Sequence, residues 1–257
     1  MASSGPDVCC QQGFRYEGQP QGETKQINLL PGSTSTIHQF NAYFSYPEPG
    51  HKGDDDKAVL ILTDIFGLYE NTQLLADAFA AEGYLAVVPD LFSGDAATFD
   101  AVRTGTFDQQ SWISQHTTAQ IDPVVASIIH YLRQELALKR IAGAGYCFGA
   151  KYVCRFLKPS GLDVGYHAHP SFVTKEELAG ISGPISIAAA EHDHIFTTSL
   201  RHESEEILAN SQGAWQLNLF GGVKHGFALR ADLTDTHQKW AKEQAFYQAV
   251  SWFRKYL

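Results

Sequence analysis

At 257 residues, with 44% hydrophobic and 18% charged side chains, the chain can bury a large core without covalent staples and has an ordinary globular composition. A formal net charge of −9, with no basic cluster and no base-stacking motif, argues against nucleic acid or an anionic membrane as partner. Every apolar run is strand-sized, too short to span a bilayer.

The N-terminus lacks the basic and apolar regions of a secretory signal. The four cysteines, Cys9, Cys10, Cys147 and Cys154, form no CxxC and no disulfide framework, which reads as thiols in a reducing cytoplasm. The adjacent Cys9-Cys10 could bind metal or be redox-active, but its setting is a polar terminal segment. Residues 1–26 are rich in Gly, Gln and Ser and read as a loose arm, with one domain over 27–257.

Within that domain, 38–46 alternates partly and is predicted to be a strand. Ala58 to Thr63 is a continuous apolar run, as expected of a strand covered on both faces of a parallel sheet. A helical stripe over 70–83 closes at Gly83 and is followed by a strand over 84–88. Residues 91–110 are irregular and lie beyond the C-terminal end of a strand, the edge where open α/β sheets hold ligands. The pattern from Ile113 to Leu138 is mostly helical, with Pro123 suited to the first turn of its main helix. Further strands are predicted at 140–146, 164–169, 184–190 and 215–220, and helices at 148–157, 198–211 and 237–256. Alternating strands and helices imply a parallel sheet with helices on both faces.

Gly145-Tyr146-Cys147-Phe148-Gly149 has the form Gly-x-Cys-x-Gly between a strand and a helix, the nucleophile-elbow pattern with cysteine in place of serine. Small neighbours let strand and helix approach, and the helix N-terminus aims its free N–H groups at the thiol. Downstream, Glu191-His192-Asp193-His194 and Lys224-His225-Gly226 each follow a predicted strand. They offer Asp193 as the acid and His225 as the base, in the order expected after a nucleophile on this kind of sheet. A rival reading takes His167, His169, His192 and His194 as two His-x-His pairs able to chelate zinc or iron, the strand pair presenting both rings on one face.

Together with Asp64-Ile65-Phe66-Gly67 and His225-Gly226-Phe227-Ala228, these segments resemble the dienelactone hydrolase (carboxymethylenebutenolidase) family over roughly residues 35–257. Cys9-Cys10 and His169-Pro170-Ser171-Phe172 look like its fungal and other eukaryotic branch. The resemblance implies an α/β-hydrolase fold, with Cys147 as nucleophile, Asp193 as acid, His225 as base, and the N–H groups of Ile65 and Phe148 as oxyanion hole. No cofactor and no metal is expected, because no third ligand spacing accompanies the His pairs and Asp193 needs the same loop. The bacterial archetypes place a Glu before the Ile-Phe-Gly segment to hold the resting thiol; Asp64 stands there. They grip the lactone carboxylate with arginines, one of them four residues after the histidine. Here Leu229 occupies that position and Arg230 follows it, so Arg230, Arg103 in the long loop and Tyr146 in the elbow are the substrate-binding candidates. The expected function is hydrolysis of an activated lactone or ester, a small molecule, through a thioester, by a monomer or homodimer. A lyase or isomerase using the same site and a non-catalytic binding protein on a hydrolase scaffold are the alternatives.

Overall fold

The computed structural model describes Ser3 and residues 13–32, 37–48 and 56–257. The Cys9-Cys10 pair lies outside these residues. In chain order the elements are β1 (Glu23–Asn28), β2 (Gln39–Ser45), β3 (Lys57–Leu62), α1 (Glu70–Ala81), β4 (Leu85–Pro89), α2 (Phe99–Arg103), α3 (Gln109–Gln115), α4 (Thr118–His130), β5 (Arg140–Tyr146), α5 (Gly149–Phe156), β6 (Val164–Ala168), α6 (Lys175–Ala179), β7 (Ile185–His192), α7 (Thr198–Ala209), β8 (Trp215–Lys224), α8 (Phe227–Arg230) and α9 (Thr236–Tyr256). The eight strands form one sheet in the order β1-β2-β4-β3-β5-β6-β7-β8. β1 and β4 each run antiparallel to β2, and every pairing from β4 to β8 is parallel. This is the mostly parallel sheet of an α/β-hydrolase fold.

The apolar run of β3 is explained by its two covered faces. Leu60 and Leu62 pack with Val124, Val125 and Ile128 of α4 and Val153 of α5. Val59 and Ile61 pack in the opposite layer with Leu75 and Phe79 of α1 and with Ala241, Ala245 and Phe253 of α9. Side chains alternate across a strand, so a strand between two helical layers must be apolar throughout. No helix among the described residues is long and apolar enough to cross a membrane.

Several boundaries differ from the expectation. Residues 23–26, read as the end of a loose arm, belong to β1 and pair with Phe44, Tyr43, Ala42 and Asn41 of β2. Their polarity misleads because β1 is an edge strand, with only Ile27 buried. The segment 113–138 is broken: α3 ends at Gln115, α4 starts at Thr118, and Tyr131–Glu135 winds as a π-helix. Pro123 therefore lies inside α4 rather than in its first turn. The irregular stretch 91–110 contains α2, whose N-cap Thr98 accepts a hydrogen bond from the Ala101 N–H. β7 and β8 extend past their predicted ends, with a register shift between Ala190 and His192.

Candidate active site

β5 lies between β3 and β6 in the middle of the sheet, and Cys147 follows its last residue. Cys147 has φ +51°, in the left-handed region that residues other than glycine rarely occupy. The turn is tight enough to require both flanking glycines. A Cβ on Gly149 would stand 1.9 Å from the Leu62 carbonyl oxygen, and one on Gly145 would stand 2.8 Å from Cα of Ala150. The Gly149 N–H donates to the Thr63 carbonyl at 2.9 Å, and the Cys147 N–H to the Ala168 carbonyl at 3.2 Å, which ties the elbow to the ends of β3 and β6.

Asp193 and His225 arrive from the ends of β7 and β8. His225 Nδ1 and Asp193 Oδ2 are 2.9 Å apart, and neither side chain is exposed. Asp193 Oδ1 accepts from the N–H groups of Ile195 at 2.8 Å and Phe196 at 3.0 Å, so the carboxylate cannot rotate away. His225 is also hydrogen-bonded to the Cys147 side chain. Burial alone would push the imidazole pKa down. The negative charges of Cys147 and Asp193, with the hydrogen bonds to both, outweigh it and hold the pKa up at about 10. Burial likewise pushes Asp193 up, but the charge and hydrogen bond of His225, with the two amides, bring it below the ordinary carboxylate range. Both shifts favour a protonated His225 beside an ionised Asp193.

The turn after β3 stands opposite. The Gly67 N–H donates to the Asp64 carbonyl at 3.1 Å, and the Phe66 N–H to Asp64 Oδ1 at 3.0 Å. Ile65 and Phe148 are both buried, yet among the described residues neither backbone N–H has a hydrogen-bond partner. Buried N–H groups left open are rare in folded proteins.

Asp64 forms an ion pair with Arg230, and both side chains are fully buried. The Tyr69 hydroxyl donates to Asp64 Oδ2 at 3.3 Å, and the Arg230 guanidinium sits 5.1 Å from the centre of the Phe66 ring. Burial raises the Asp64 pKa; the Cys147 charge adds to the rise and Arg230 opposes it. Arg230 and Asp64 are thus part of the site. Arg103 is not brought there: it is exposed on α2 and pairs with Asp100 at 3.0 Å, because α2 turns its C-terminal end to solvent. Tyr146 is buried among core rings, 6.1 Å from Tyr166 and 6.2 Å from His169, since it is the last residue of β5 and points into the layer under α9.

The two histidines of β6 and its following turn separate. His167 lines a small void with Val173, Leu178, Ile187 and Phe196, whereas His169, at φ +40°, packs its ring 4.9 Å from that of His225. The left-handed turn at His169 breaks the strand alternation that would put both rings on one face. Burial pushes both pKa values down, to about 3 for His167. No group of three His, Cys, Asp or Glu among the described residues is placed to hold a metal ion.

Of three further neighbours, Ser171 and Tyr69 were not among the sequence candidates, and His169 was one only as a metal ligand. Ser171 lies 3.4 Å from the Cys147 sulfur, His169 abuts His225, and Tyr69 supports Asp64. Ser171 falls in the His-Pro-Ser-Phe segment, but no spacing rule ties a residue 24 positions away to the elbow. Beside His225 opens a cavity of about 200 Å³ lined in part by Arg230, Lys224, Phe227 and, from the N-terminal segment, Gly13 and Phe14.

The dienelactone hydrolase family matches residues 40–257. The chain is 44% identical to Hydrolase pyvD of Aspergillus violaceofuscus, covering 100% of this chain and 99% of that protein. It is 41% identical to Hydrolase tropI of Talaromyces stipitatus, over 100% and 99%, and 30% identical to Dienlactone hydrolase 1 of Gibberella moniliformis, over 98% and 94%. A putative dienelactone hydrolase from Klebsiella pneumoniae shares the fold, with a TM-score of 0.71 at 15% identity over 91% of this chain and 100% of that one. With a family match running from β2 to the C-terminal helix and full-length relatives among hydrolases, the chain belongs to the dienelactone hydrolase family and is an enzyme that hydrolyses lactones or esters.

Proposed function

We propose that the protein cleaves an activated lactone or ester with Cys147 as nucleophile, His225 as acid and base, and Asp193 holding His225 in register. The observation that carries this reading is the buried row of Cys147, His225 and Asp193, with the proton of Nδ1 committed to Asp193 and the other ring nitrogen left to serve the sulfur. The Cys147 sulfur adds to the carbonyl carbon, and the oxygen, now negative, takes the open N–H groups of Ile65 and Phe148. Collapse breaks the ring C–O bond, and the departing oxygen receives the proton of His225. The neutral imidazole then takes a proton from water, whose oxygen adds to the thioester. Breaking of the C–S bond returns the electron pair to sulfur opposite the imidazolium, and the acid product loses its proton to solvent. A thiolate expels an enolate more readily than an alkoxide or amine, which favours activated lactones over amides.

Among the described residues neither Cys147 nor Cys154 is in a disulfide, which suits a reducing compartment, and on that ground the proposed location is the cytoplasm. A panel of lactones and aryl esters assayed against wild type and Cys147→Ala tests the function. Turnover should vanish in the variant, and mass spectrometry of quenched wild type should find the acyl group on Cys147. Undiminished turnover by Cys147→Ala would refute the mechanism.

A further inference from the structure

We infer that Ser171 is a positioning residue for the nucleophile, its hydroxyl donating to the Cys147 sulfur whenever that atom carries negative charge. The inference rests on Cys147 being the nucleophile. Ser171 holds Cys147 at two points: its backbone N–H donates to the Cys147 carbonyl at 3.0 Å, and its Oγ lies 3.4 Å from Sγ, within hydrogen-bonding range for sulfur. The residue is fully buried, and its hydroxyl makes no other hydrogen bond among the described residues. It is delivered by a strained turn, with His169 at φ +40° and Phe172 at φ +62° on either side. Left-handed backbone at two non-glycine residues within four positions is costly, and such strain gathers where a side chain must be aimed.

The chemistry gives the contact two uses. In the resting enzyme the hydroxyl and the imidazolium of His225 approach the thiolate as two donors, and a second donor makes the sulfur less basic. In hydrolysis of the thioester, water's oxygen has bonded to the carbonyl carbon and its proton has passed to His225. The C–S bond then breaks and its electron pair returns to sulfur. A donor already in place stabilises that leaving group, so Ser171 acts chiefly on deacylation.

Ser171→Ala removes one buried oxygen and no carbon, so the fold is retained and a thermal melt checks it. Two readouts then decide. The pH dependence of iodoacetamide alkylation at Cys147 should move up by about one unit, the scale of one lost hydrogen bond to a charged group. In single-turnover assays with an aryl ester, loss of the acyl group from Cys147 should slow about tenfold, so that thioester accumulates. Ser171→Thr, which keeps the hydroxyl, should restore the alkylation profile. An unchanged profile and unchanged deacylation in Ser171→Ala, or coincident profiles for Ala and Thr, would overturn the role of Ser171. Full turnover by Cys147→Ala would instead bring down the nucleophile assignment on which it rests.

Discussion

Replacing Asp193 by Asn tests the relay at its most constrained bond. Asp193 Oδ1 is held by the N–H groups of Ile195 and Phe196, which can only donate. The Asn side chain must therefore keep its carbonyl oxygen on those two amides and turn its NH₂ toward His225. Nδ1 then has to accept, and the imidazole proton moves to the other ring nitrogen, facing sulfur. In that tautomer His225 cannot take a proton during deacylation. One of the two charges that oppose burial is lost as well; the Cys147 charge stays, but burial, the largest influence on His225, weighs more heavily against the imidazolium. A hydrogen bond to a charged group is worth about 1.5–3 kcal/mol, or about 10- to 150-fold in rate. With the reversed tautomer added, the fall in kcat should reach about 10³- to 10⁴-fold, the scale seen for the same exchange in a serine triad. The two amides stay satisfied, so the folding cost should be only about 1 kcal/mol. The assay pairs kcat on an aryl ester with the pH profile of Cys147 alkylation. The wild-type profile should be flat from pH 7 to 9, because the imidazolium persists to about pH 10. The variant's should climb about tenfold per unit toward the ordinary thiol value of about 8.5. A variant that kept kcat within tenfold and retained the flat profile would refute the relay.

The raised pKa of His225 also predicts a pH-dependent stability. Its contribution is fully present below the ordinary imidazole value of 6.5 and is lost as pH rises toward about 10, so urea midpoints should fall over that window, and fall less in His225→Gln. Gly149→Ala should destabilise by more than about 4 kcal/mol or prevent soluble expression, because backbone at Leu62 blocks the new Cβ; near-native urea unfolding would contradict that packing. Asp64→Ala strands a buried guanidinium and should cost about 3–5 kcal/mol, whereas Asp64→Leu combined with Arg230→Met should recover most of it; additive losses in that cycle would show the pair to be uncoupled. Of the two described cysteines, only Cys147 should react with iodoacetamide in the native state, because burial pushes the Cys154 thiol far up; mass spectrometry of peptides labelled before unfolding reads this directly.

Legibility in the sequence followed the range of the interaction concerned. The strands β3 to β7 announce themselves as apolar runs because two helical layers cover them, and the elbow announces itself because only glycine fits at 145 and 149. Edge strand β1 was hidden: with one neighbour and one buried side chain it has the composition of a loop. Arg230 and Arg103 looked alike as candidates, and only tertiary placement separates a guanidinium sealed against Asp64 from one turned to water. Ser171 and Tyr69 carry no pattern, because their roles depend on left-handed turns and on the crossing of loops distant in sequence.

The strand order explains why these groups can meet. From β3 outward the sheet runs β5, β6, β7, β8, and each strand ends in one component of the site: Ile65 after β3, Cys147 after β5, Ser171 after β6, Asp193 at the end of β7 and His225 after β8. Ile65 and Ser171 come from the two strands that flank β5, so short turns suffice to bring both against the elbow. His225 starts three strands away from Cys147, about 14 Å at the usual strand spacing. No side chain spans that distance. The chain closes it with the unusual end of the sheet. The register shift between Ala190 and His192 prolongs β7 and β8, the His225 N–H donates to the His192 carbonyl at 3.3 Å, and the left-handed Gly226 turns the chain into α8. A Cβ on Gly226 would lie 2.5 Å from the Arg230 guanidinium. The same turn that brings the imidazole to the sulfur therefore also brings Arg230 onto Asp64, coupling the position of His225 to the buried ion pair on the opposite side of the nucleophile.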